Sequence, residues 1–266
     1  MADAVSTRDN PPLIRNHIPY ELDGGIGERA AIGVIVLASD LTIEHELRLL
    51  LDLPGVAFYE SRIYCDSLAT PESLSAMEPK IGPSAALILP GMPLDVVAFG
   101  CTSASMVIGE SRVFERIQRV RPGTKCTTPV TAAFAAFEAI GARRIALLTP
   151  YREDVNERVR QYVESRGYDV RALGSFSEDD DTRAARIDQR NIRDAAVVLG
   201  RQADVDMVFI SSTSLRLASI AAEIEAEIGK PVSSSNHALA WHCLRLGGIE
   251  DVQPGFGKLF TLSIHK

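Results

Sequence analysis

The sequence predicts an α/β protein built from two pseudo-symmetric, doubly wound parallel-sheet subdomains with the active site between them. Two observations carry this prediction. Apolar strand segments alternate with amphipathic segments, which is typical of a parallel sheet covered on both faces. In addition, aligning Cys101 on Ser212 sets an offset of 212 − 101 = 111 residues, and the same offset carries Asp40 onto Tyr151 because 151 − 40 = 111. Two matches at one offset indicate a duplicated unit.

The predicted elements recur in the same order in both copies. In the first copy we expect strands at residues 32–37, 57–64 and 96–99, with helices at residues 42–51 and 71–77. A helix at residues 128–140 crosses over to the second copy. There we expect strands at residues 144–148, 169–173 and 207–210, with helices at residues 155–166, 192–201 and 215–228.

These elements divide the chain into four parts. We expect an N-terminal surface extension (1–30), a first α/β subdomain (31–130), a second α/β subdomain (131–235) and a C-terminal segment (236–266). The C-terminal segment is expected to pack back on the first subdomain.

The composition of the chain restricts the binding partners and the cellular compartment that we expect for the protein. The 266 residues are 46% hydrophobic, and the net charge of −7 without a Lys/Arg cluster argues against nucleic acid or a membrane surface as partner. With no membrane-spanning run and no signal peptide, we expect a cytoplasmic protein. Four scattered cysteines are expected to be free thiols, and no metal or phosphate-loop motif is present. The glycine-rich residues 24–27 precede the first strand, which is the wrong context for dinucleotide binding.

A hydroxyl-rich turn follows the same strand in each copy. Cys101 lies in the first turn and Ser212 in the second, and each turn precedes a predicted helix. The amides of a helix N-terminus bind anions and acidify a thiol. A pseudo-twofold axis would bring the two turns face to face, which suits moving a proton from one face of a carbon to the other. The amides expected to receive the charge of an enediolate are those of Thr102, Ser103, Thr213 and Ser214.

Most candidate residues have a structural interpretation beside the functional one. Asp40 either caps the helix that follows it or contacts the ligand, and the two roles are compatible. Tyr151 alone is typical of a surface turn, but its match to Asp40 favours a ligand role. Asn236 either closes a turn or contacts the substrate. Structural roles are favoured for Cys65, Cys126, Cys243, His237, His242 and most of the acidic loop at residues 178–181.

The chain resembles the aspartate/glutamate racemase superfamily, in the branch that contains maleate cis-trans isomerase and arylmalonate decarboxylase. The resemblance is carried by the paired turns and by residues 148–151 and 235–245. Within that branch, residues 100–110, 128–133 and 146–151 are similar to the ectoine-utilisation (EutA) proteins. The resemblance covers residues 32–248 and implies an enzyme that needs no cofactor.

The resemblance also implies catalysis by two opposed cysteines or by one. Cys101 matches the first cysteine position, whose thiolate adds to the substrate in the isomerase. The second position, which supplies the partner acid, is Ser212 in this chain. An alcohol has a pKa far above the ~8.5 of a thiol, so Ser212 cannot act as a thiolate-like base near neutral pH. Either one thiolate works with a weak hydroxyl or water donor, or Ser212 stands in place of a natural cysteine.

A second departure concerns the substrate. In the family that this chain resembles, members that act on plain dicarboxylates tend to carry Asn where Asp40 stands and another Asn near the position of Asp181. Because a carboxylate prefers a cationic partner, the pocket is expected to take a substrate with an amino group as well as a carboxylate. Tyr151 would donate a hydrogen bond to that carboxylate.

We therefore predict a cofactor-independent isomerase or racemase that acts through Cys101 at the carbon alpha to a carboxylate, on an amino-acid-like substrate in ectoine degradation. The alternatives are a maleate isomerase, an arylmalonate-type decarboxylase with an apolar pocket, a cysteine hydrolase with a histidine base, and a non-catalytic ligand-binding homologue. The expected partners are a small carboxylate or amino acid and further copies of the chain in a dimer or tetramer.

Overall fold

Two four-stranded parallel sheets form the framework of the protein in its computed structural model, which describes residues 13–66, 70–178 and 180–264. The first half comprises β1 (Ala30–Leu37), α1 (Ile43–Leu50), β2 (Val56–Ile63), α2 (Pro71–Ser75), α3 (Glu78–Leu87), β3 (Val96–Phe99), α4 (Thr102–Ile108), α5 (Glu110–Gln118) and β4 (Lys125–Thr127). The helix α6 (Pro129–Ile140) follows β4 and leads to the second half. The second half comprises β5 (Arg144–Thr149), α7 (Glu153–Ser165), β6 (Asp169–Ser175), α8 (Asp181–Ala184), α9 (Gln189–Gly200), β7 (Met207–Ile210), α10 (Ala221–Ile228), β8 (Val232–Ser234) and α11 (Ser235–Leu246). Two short 3-10 turns follow, at Pro254–Phe256 and Lys258–Thr261.

The two sheets have the same topology. Their strand orders are β2-β1-β3-β4 and β6-β5-β7-β8, and every strand pair is parallel. The bounds of β3 and β7 differ by the 111 residues of the sequence repeat, since 207 − 96 = 111. The predicted fold class, two equivalent doubly wound α/β units, is confirmed.

Gly100 allows the end of β3 to lie directly beneath α1. A Cβ atom on Gly100 would lie 2.6 Å from Ile43 Cδ1 and 3.2 Å from the carbonyl oxygen of Ile35, so a side chain here would displace Ile43 and crowd the backbone of β1. The chain therefore leaves β3 close to the core, and Cys101, the next residue, is only 5% exposed.

The helix predicted at residues 215–228 is wrong in its first part. Residues 213–220 form bends and turns, and α10 begins only at Ala221. The physical reason is a set of contacts to α1 in the other half. The buried carboxylate of Glu46 accepts the amides of Leu217 (2.9 Å) and Ala218 (3.0 Å), and the hydroxyl of Thr42 donates to the carbonyl of Ser214 (3.1 Å). In this segment, side chains of the other half thus bind the backbone groups that would otherwise form the first turn of a helix.

The C-terminal helix α11 joins the two halves. It packs against α6, the equivalent helix of the first copy, and also contacts α1, β3, β4 and β8. Its indole-bearing residue Trp241 is fully buried and donates to the carbonyl of Leu262 at 2.9 Å. The division of the chain into four parts stays a prediction.

The N-terminal extension is exposed where it is described. Residues 13–29 contain no helix or strand, and large apolar side chains such as Leu13 and Leu22 are more than four-fifths exposed. Residues 1–12 of this predicted extension, and Asp179 of the predicted acidic loop, lie outside the described residues. Across the described ranges, no helix is both long and apolar enough to cross a membrane.

Candidate active site

A cavity of about 270 Å³ opens at the carboxyl ends of the strands, with walls from both halves of the chain. This is where parallel α/β sheets bind their ligands. The predicted site residues that line it are Cys101, Thr102, Ser103, Tyr151, Asp181, Ser212 and Thr213. The first three come from the turn after β3, and the others come from the second half, so the duplicated turns do converge on one space.

Cys101 is the N-cap residue of α4. Its Sγ accepts the amide of Ala104 at 3.4 Å, the contact expected of a residue at this place in a helix. The expected acidification of the thiol is nevertheless contradicted. Burial, together with the smaller effect of the nearby carboxylates of Asp181 and Asp40, raises the pKa of Cys101 to about 12. The bond from Ala104 acts in the opposite direction but is too weak to offset desolvation. Cys101 is therefore a protonated thiol at neutral pH.

Ser212 lies in the turn after β7 and is 2% exposed. Its Oγ accepts the amide of Ser214 at 3.0 Å, so its lone pairs are partly used within the turn. The expectation that Thr213 and Ser214 begin a helix is wrong, as described above, and their amides therefore lack a helix dipole.

Tyr151 places its hydroxyl between the two turns. The side chains of Ser212 and Ser103 interact with it and oppose the effect of burial, which raises the pKa of Tyr151 above its usual range. A neutral phenol is a hydrogen-bond donor as well as an acceptor. Together these three hydroxyl groups form a neutral polar end of the cavity that can donate to a carboxylate.

Asp181 adds a carboxylate to this polar end. It is the first residue of α8, and its Oδ1 accepts the hydroxyl of Ser214 at 3.3 Å. Burial of the carboxylate and the nearby charge of Asp40 both raise its pKa. In the described part of the chain, no Lys or Arg forms an ion pair with Asp181. A cationic group bound in the cavity would therefore meet an unpaired carboxylate.

Asp40, Ser214 and Asn236 do not line the cavity. Asp40 is 6% exposed, and its Oδ1 accepts the amides of Thr42 (2.7 Å) and Ile43 (2.8 Å) at the start of α1. These contacts correspond to the capping role, while a direct ligand contact by Asp40 stays a prediction. Asn236 is fully buried and donates from Nδ2 to the carbonyl of Thr213 at 2.8 Å, so it contacts the second turn from behind.

An apolar wall of the cavity was not anticipated from the sequence. It is formed by Leu37, Leu74, Met77, Met106, Val107, Val155 and Val159. Arg158 and Arg152 of the second half and Cys65 of the first also line the cavity, and Cys65 contacts Ser39 at 3.2 Å between Sγ and Oγ. The signal for part of this wall was present in the sequence, because Val155, Arg158 and Val159 have the spacing of one helix face.

Two histidines considered as possible bases are structural, as expected. His237 Nδ1 contacts Ser233 Oγ at 3.1 Å and its Nε2 contacts the carbonyl of Phe256 at 2.7 Å, while His242 Nδ1 contacts Thr127 Oγ1 at 2.7 Å. Burial lowers the pKa of each to about 4. Neither lines the cavity, so neither forms a Cys–His pair with Cys101. Among the described residues, no cluster of side chains is suited to hold a metal ion.

Comparison with known proteins places the chain in a family. A family model described as arylmalonate decarboxylase matches residues 67–260. Maleate isomerase from Pseudomonas putida is 28% identical over 245 residues, which cover 86% of this chain and 96% of that protein.

Two solved structures have the same fold. One is a Cys-to-Ser variant of the maleate cis-trans isomerase from Nocardia farcinica with a covalently bound succinylcysteine intermediate, with a TM-score of 0.77 and 26% identity over 87% of this chain and 98% of that one. The other is a variant of arylmalonate decarboxylase in liganded form, in which one Gly is replaced by Cys and one Cys by Ser. Its TM-score is 0.76, with 31% identity over 87% of this chain and 98% of that one. The chain therefore belongs to the arylmalonate decarboxylase family, in the branch that also contains the maleate isomerases.

Proposed function

We propose that the protein is a cofactor-independent enzyme of the isomerase or racemase type, which transfers a proton at the carbon alpha to a carboxylate through Cys101. The observation that carries this proposal is the convergence of Cys101, Tyr151, Asp181 and Ser212 on one cavity. Membership of a family of isomerases and decarboxylases supports it.

The polar end of the cavity provides the electrostatic part of the mechanism. A substrate carboxylate there receives hydrogen bonds from Tyr151 and from the hydroxyl groups of Ser103 and Ser212. Loss of the alpha proton turns the carboxylate into an enediolate, whose extra charge strengthens these bonds. One well-placed donor of this kind contributes about 3 to 4 kcal/mol to the transition state.

Cys101 provides the proton transfer. Its thiolate removes the alpha proton from the first-half side and becomes the thiol. For a change of configuration the enediolate then takes a proton on the opposite face, from water through the hydroxyl of Ser212, which gives up one proton as it accepts another. Burial is the main cause of the raised pKa of Cys101, and a substrate ammonium group beside Asp181 would offset only the smaller contribution of that carboxylate. Ser212 donates a hydrogen bond or relays a proton but does not become a base.

The unpaired carboxylate of Asp181 supports an amino-acid-like substrate. The likeness of three sequence runs to the ectoine-utilisation proteins narrows the first candidates to free or acetylated diaminobutyrate. That likeness is what supports the narrower assignment to ectoine breakdown.

A decarboxylase is the second candidate, and the apolar wall favours it. Met77, Met106 and Val155 line the same cavity as the polar groups, which suits a malonate with an apolar substituent. Loss of carbon dioxide gives the same enediolate, and one protonated thiol is enough to complete that reaction from one face. The wall and the high pKa of Cys101 fit this chemistry without a second thiol.

Deuterium uptake in heavy water separates these functions. The protein is incubated with a panel of amino acids, diaminobutyrate derivatives, maleate and substituted malonates, and the products are followed by NMR, with Cys101→Ala as control. Exchange at the alpha carbon without loss of carbon dioxide is the expected result. Release of carbon dioxide with incorporation of one deuteron supports the decarboxylase. A folded protein that does neither with any member overturns the proposal.

A further inference from the structure

The structure assigns a positioning role to Ser235 and Asn236, the first two residues of α11. We infer that this pair fixes the distance and orientation between the turn that carries Cys101 and the turn that carries Ser212. The hydroxyl of Thr102, the residue after Cys101, donates to Ser235 Oγ at 3.0 Å. Asn236 Nδ2 donates to the carbonyl of Thr213, the residue after Ser212, at 2.8 Å. Two adjacent residues of one helix thus hold one turn each.

The pair is suited to this role because it is buried and its helix is held at both ends. Ser235 and Asn236 are fully buried, and the helix start is fixed by Ser234, whose Oγ accepts the amide of His237 at 3.2 Å. At the other end of α11, the guanidinium of Arg245 donates to the carbonyls of Leu262 (2.9 Å) and Ile249 (2.6 Å). A displacement of α11 would break these bonds together.

Asn236 has one side-chain atom without a hydrogen-bond partner in the described part of the chain. That atom, Oδ1, is buried. A buried polar atom left in this state is unfavourable, so Oδ1 gives no reason for an amide at this position, whereas loss of Nδ2 would deprive the carbonyl of Thr213 of its donor. The amide is therefore explained by its donor group, which holds Thr213.

The equivalent helix of the first copy does not repeat this arrangement. At the start of α6, the hydroxyl of Thr128 contacts that of Thr131 at 2.8 Å, and Thr131 donates to Glu110. Within the described ranges, α6 makes no hydrogen bond to either turn. Of the two equivalent helices α6 and α11, only α11 is therefore hydrogen-bonded to both turns among the described residues.

Loss of either bond to α11 should displace one turn relative to the other and so slow the chemical step. A misplacement of about 1 Å between reacting groups reduces rates by roughly 100-fold even when the substrate still binds. Removal of either bond is therefore expected to lower kcat far more than it changes KM.

The test compares Ser235→Ala and Asn236→Leu with Ser233→Ala. Ser233 is an equally buried serine two residues away that contacts His237 instead of a turn. Two readouts are used, because this inference rests on the proposed function. The first is kcat and KM for alpha-proton exchange. The second, which needs no activity, is the alkylation rate of Cys101 and, in a Ser212→Cys background, of the thiol at position 212.

We expect Ser235→Ala and Asn236→Leu to lower kcat by about 10- to 100-fold with KM within about threefold, and Ser233→Ala to leave both unchanged. Ser235→Ala should raise the alkylation rate of Cys101 by about threefold or more, and Asn236→Leu should do so at position 212, because each turn opens more often. Absence of alpha-proton exchange in the wild type would refute the proposed function, and the alkylation rates alone would then decide the positioning role. Folded variants with alkylation rates equal to those of Ser233→Ala would overturn the positioning role.

Discussion

Cys101 and Ser212 occupy equivalent places after β3 and β7 and line the same cavity, but only Cys101 is the N-cap residue of a helix. The segment after Ser212 is held by Glu46 of the other half in place of a helical first turn. The two turns therefore differ in chemistry and in electrostatic surroundings, although they arise from one repeat. A two-base mechanism with matched groups is not available to this site.

Ser212→Cys is expected to change the stereochemistry of the reaction. A thiol at this position can deliver a proton from the second-half side, so racemisation should rise by about tenfold or more, the size of effect usual for a well-placed acid or base. The rise will not come from a helix dipole, because no helix begins there. Chiral chromatography of the deuterated product measures it, with Ser212→Ala as the matched control. If neither variant alters rate or stereochemistry, Cys101 works without a partner on the opposite wall.

Asp181→Asn is expected to weaken the binding of amino-acid substrates and to spare carboxylates without an amino group. Loss of a charge-assisted contact costs about 1.5 to 3 kcal/mol, so KM for an amino-acid substrate should rise by roughly tenfold or more, while an unsubstituted carboxylate is spared. Asp40→Asn is the matched control, since an Asn Oδ1 still accepts the amides of Thr42 and Ile43. Steady-state kinetics with both substrate classes decides. Equal losses for the two classes in Asp181→Asn would assign that residue a structural role, and a larger selective loss in Asp40→Asn would move the amino-group contact to Asp40.

Cys101 is expected to react slowly with iodoacetamide at neutral pH. Because its pKa is raised to about 12, the thiolate fraction grows about tenfold with each pH unit below that value, and the alkylation rate should follow. Cys65, which is half-buried, should be labelled first at pH 7.5. Asp181→Asn removes one of the charges that raise the pKa and should accelerate labelling. Peptide mass spectrometry between pH 7 and 10 measures these rates. If Cys101 were the cysteine labelled fastest at pH 7, its pKa would be lowered, as the sequence suggested, and not raised.

The features that depend on local pattern were predictable from the sequence. The apolar runs of β3 and β7 and their offset of 111 residues place Cys101 and Ser212 at the ends of equivalent strands, and parallel topology then brings those ends together. Tyr151 followed from the same repeat. The three-residue strands β4 and β8 are too short to show a period, so they were missed.

The features that depend on tertiary contacts were not predictable. The pKa of Cys101 is set by burial against the rest of the core, which the turn sequence does not encode. The residues after Ser212 have helical composition, but Glu46, far away in the sequence, takes their amides. Asn236 has a residue type suited to substrate binding, yet its place in the first turn of α11 directs it to Thr213.

Alpha-proton exchange by Cys101→Ala tests the central claim most directly. The wild type and the variant are incubated in heavy water with the best substrate of the panel, and deuterium uptake is followed by NMR, with circular dichroism to verify the fold and Cys126→Ala as a cysteine control outside the cavity. Loss of more than about nine-tenths of the exchange in Cys101→Ala, with Cys126→Ala close to wild type, is the predicted result. A folded Cys101→Ala variant that retains more than about a tenth of the wild-type exchange would contradict the assignment of Cys101 as the acid–base residue.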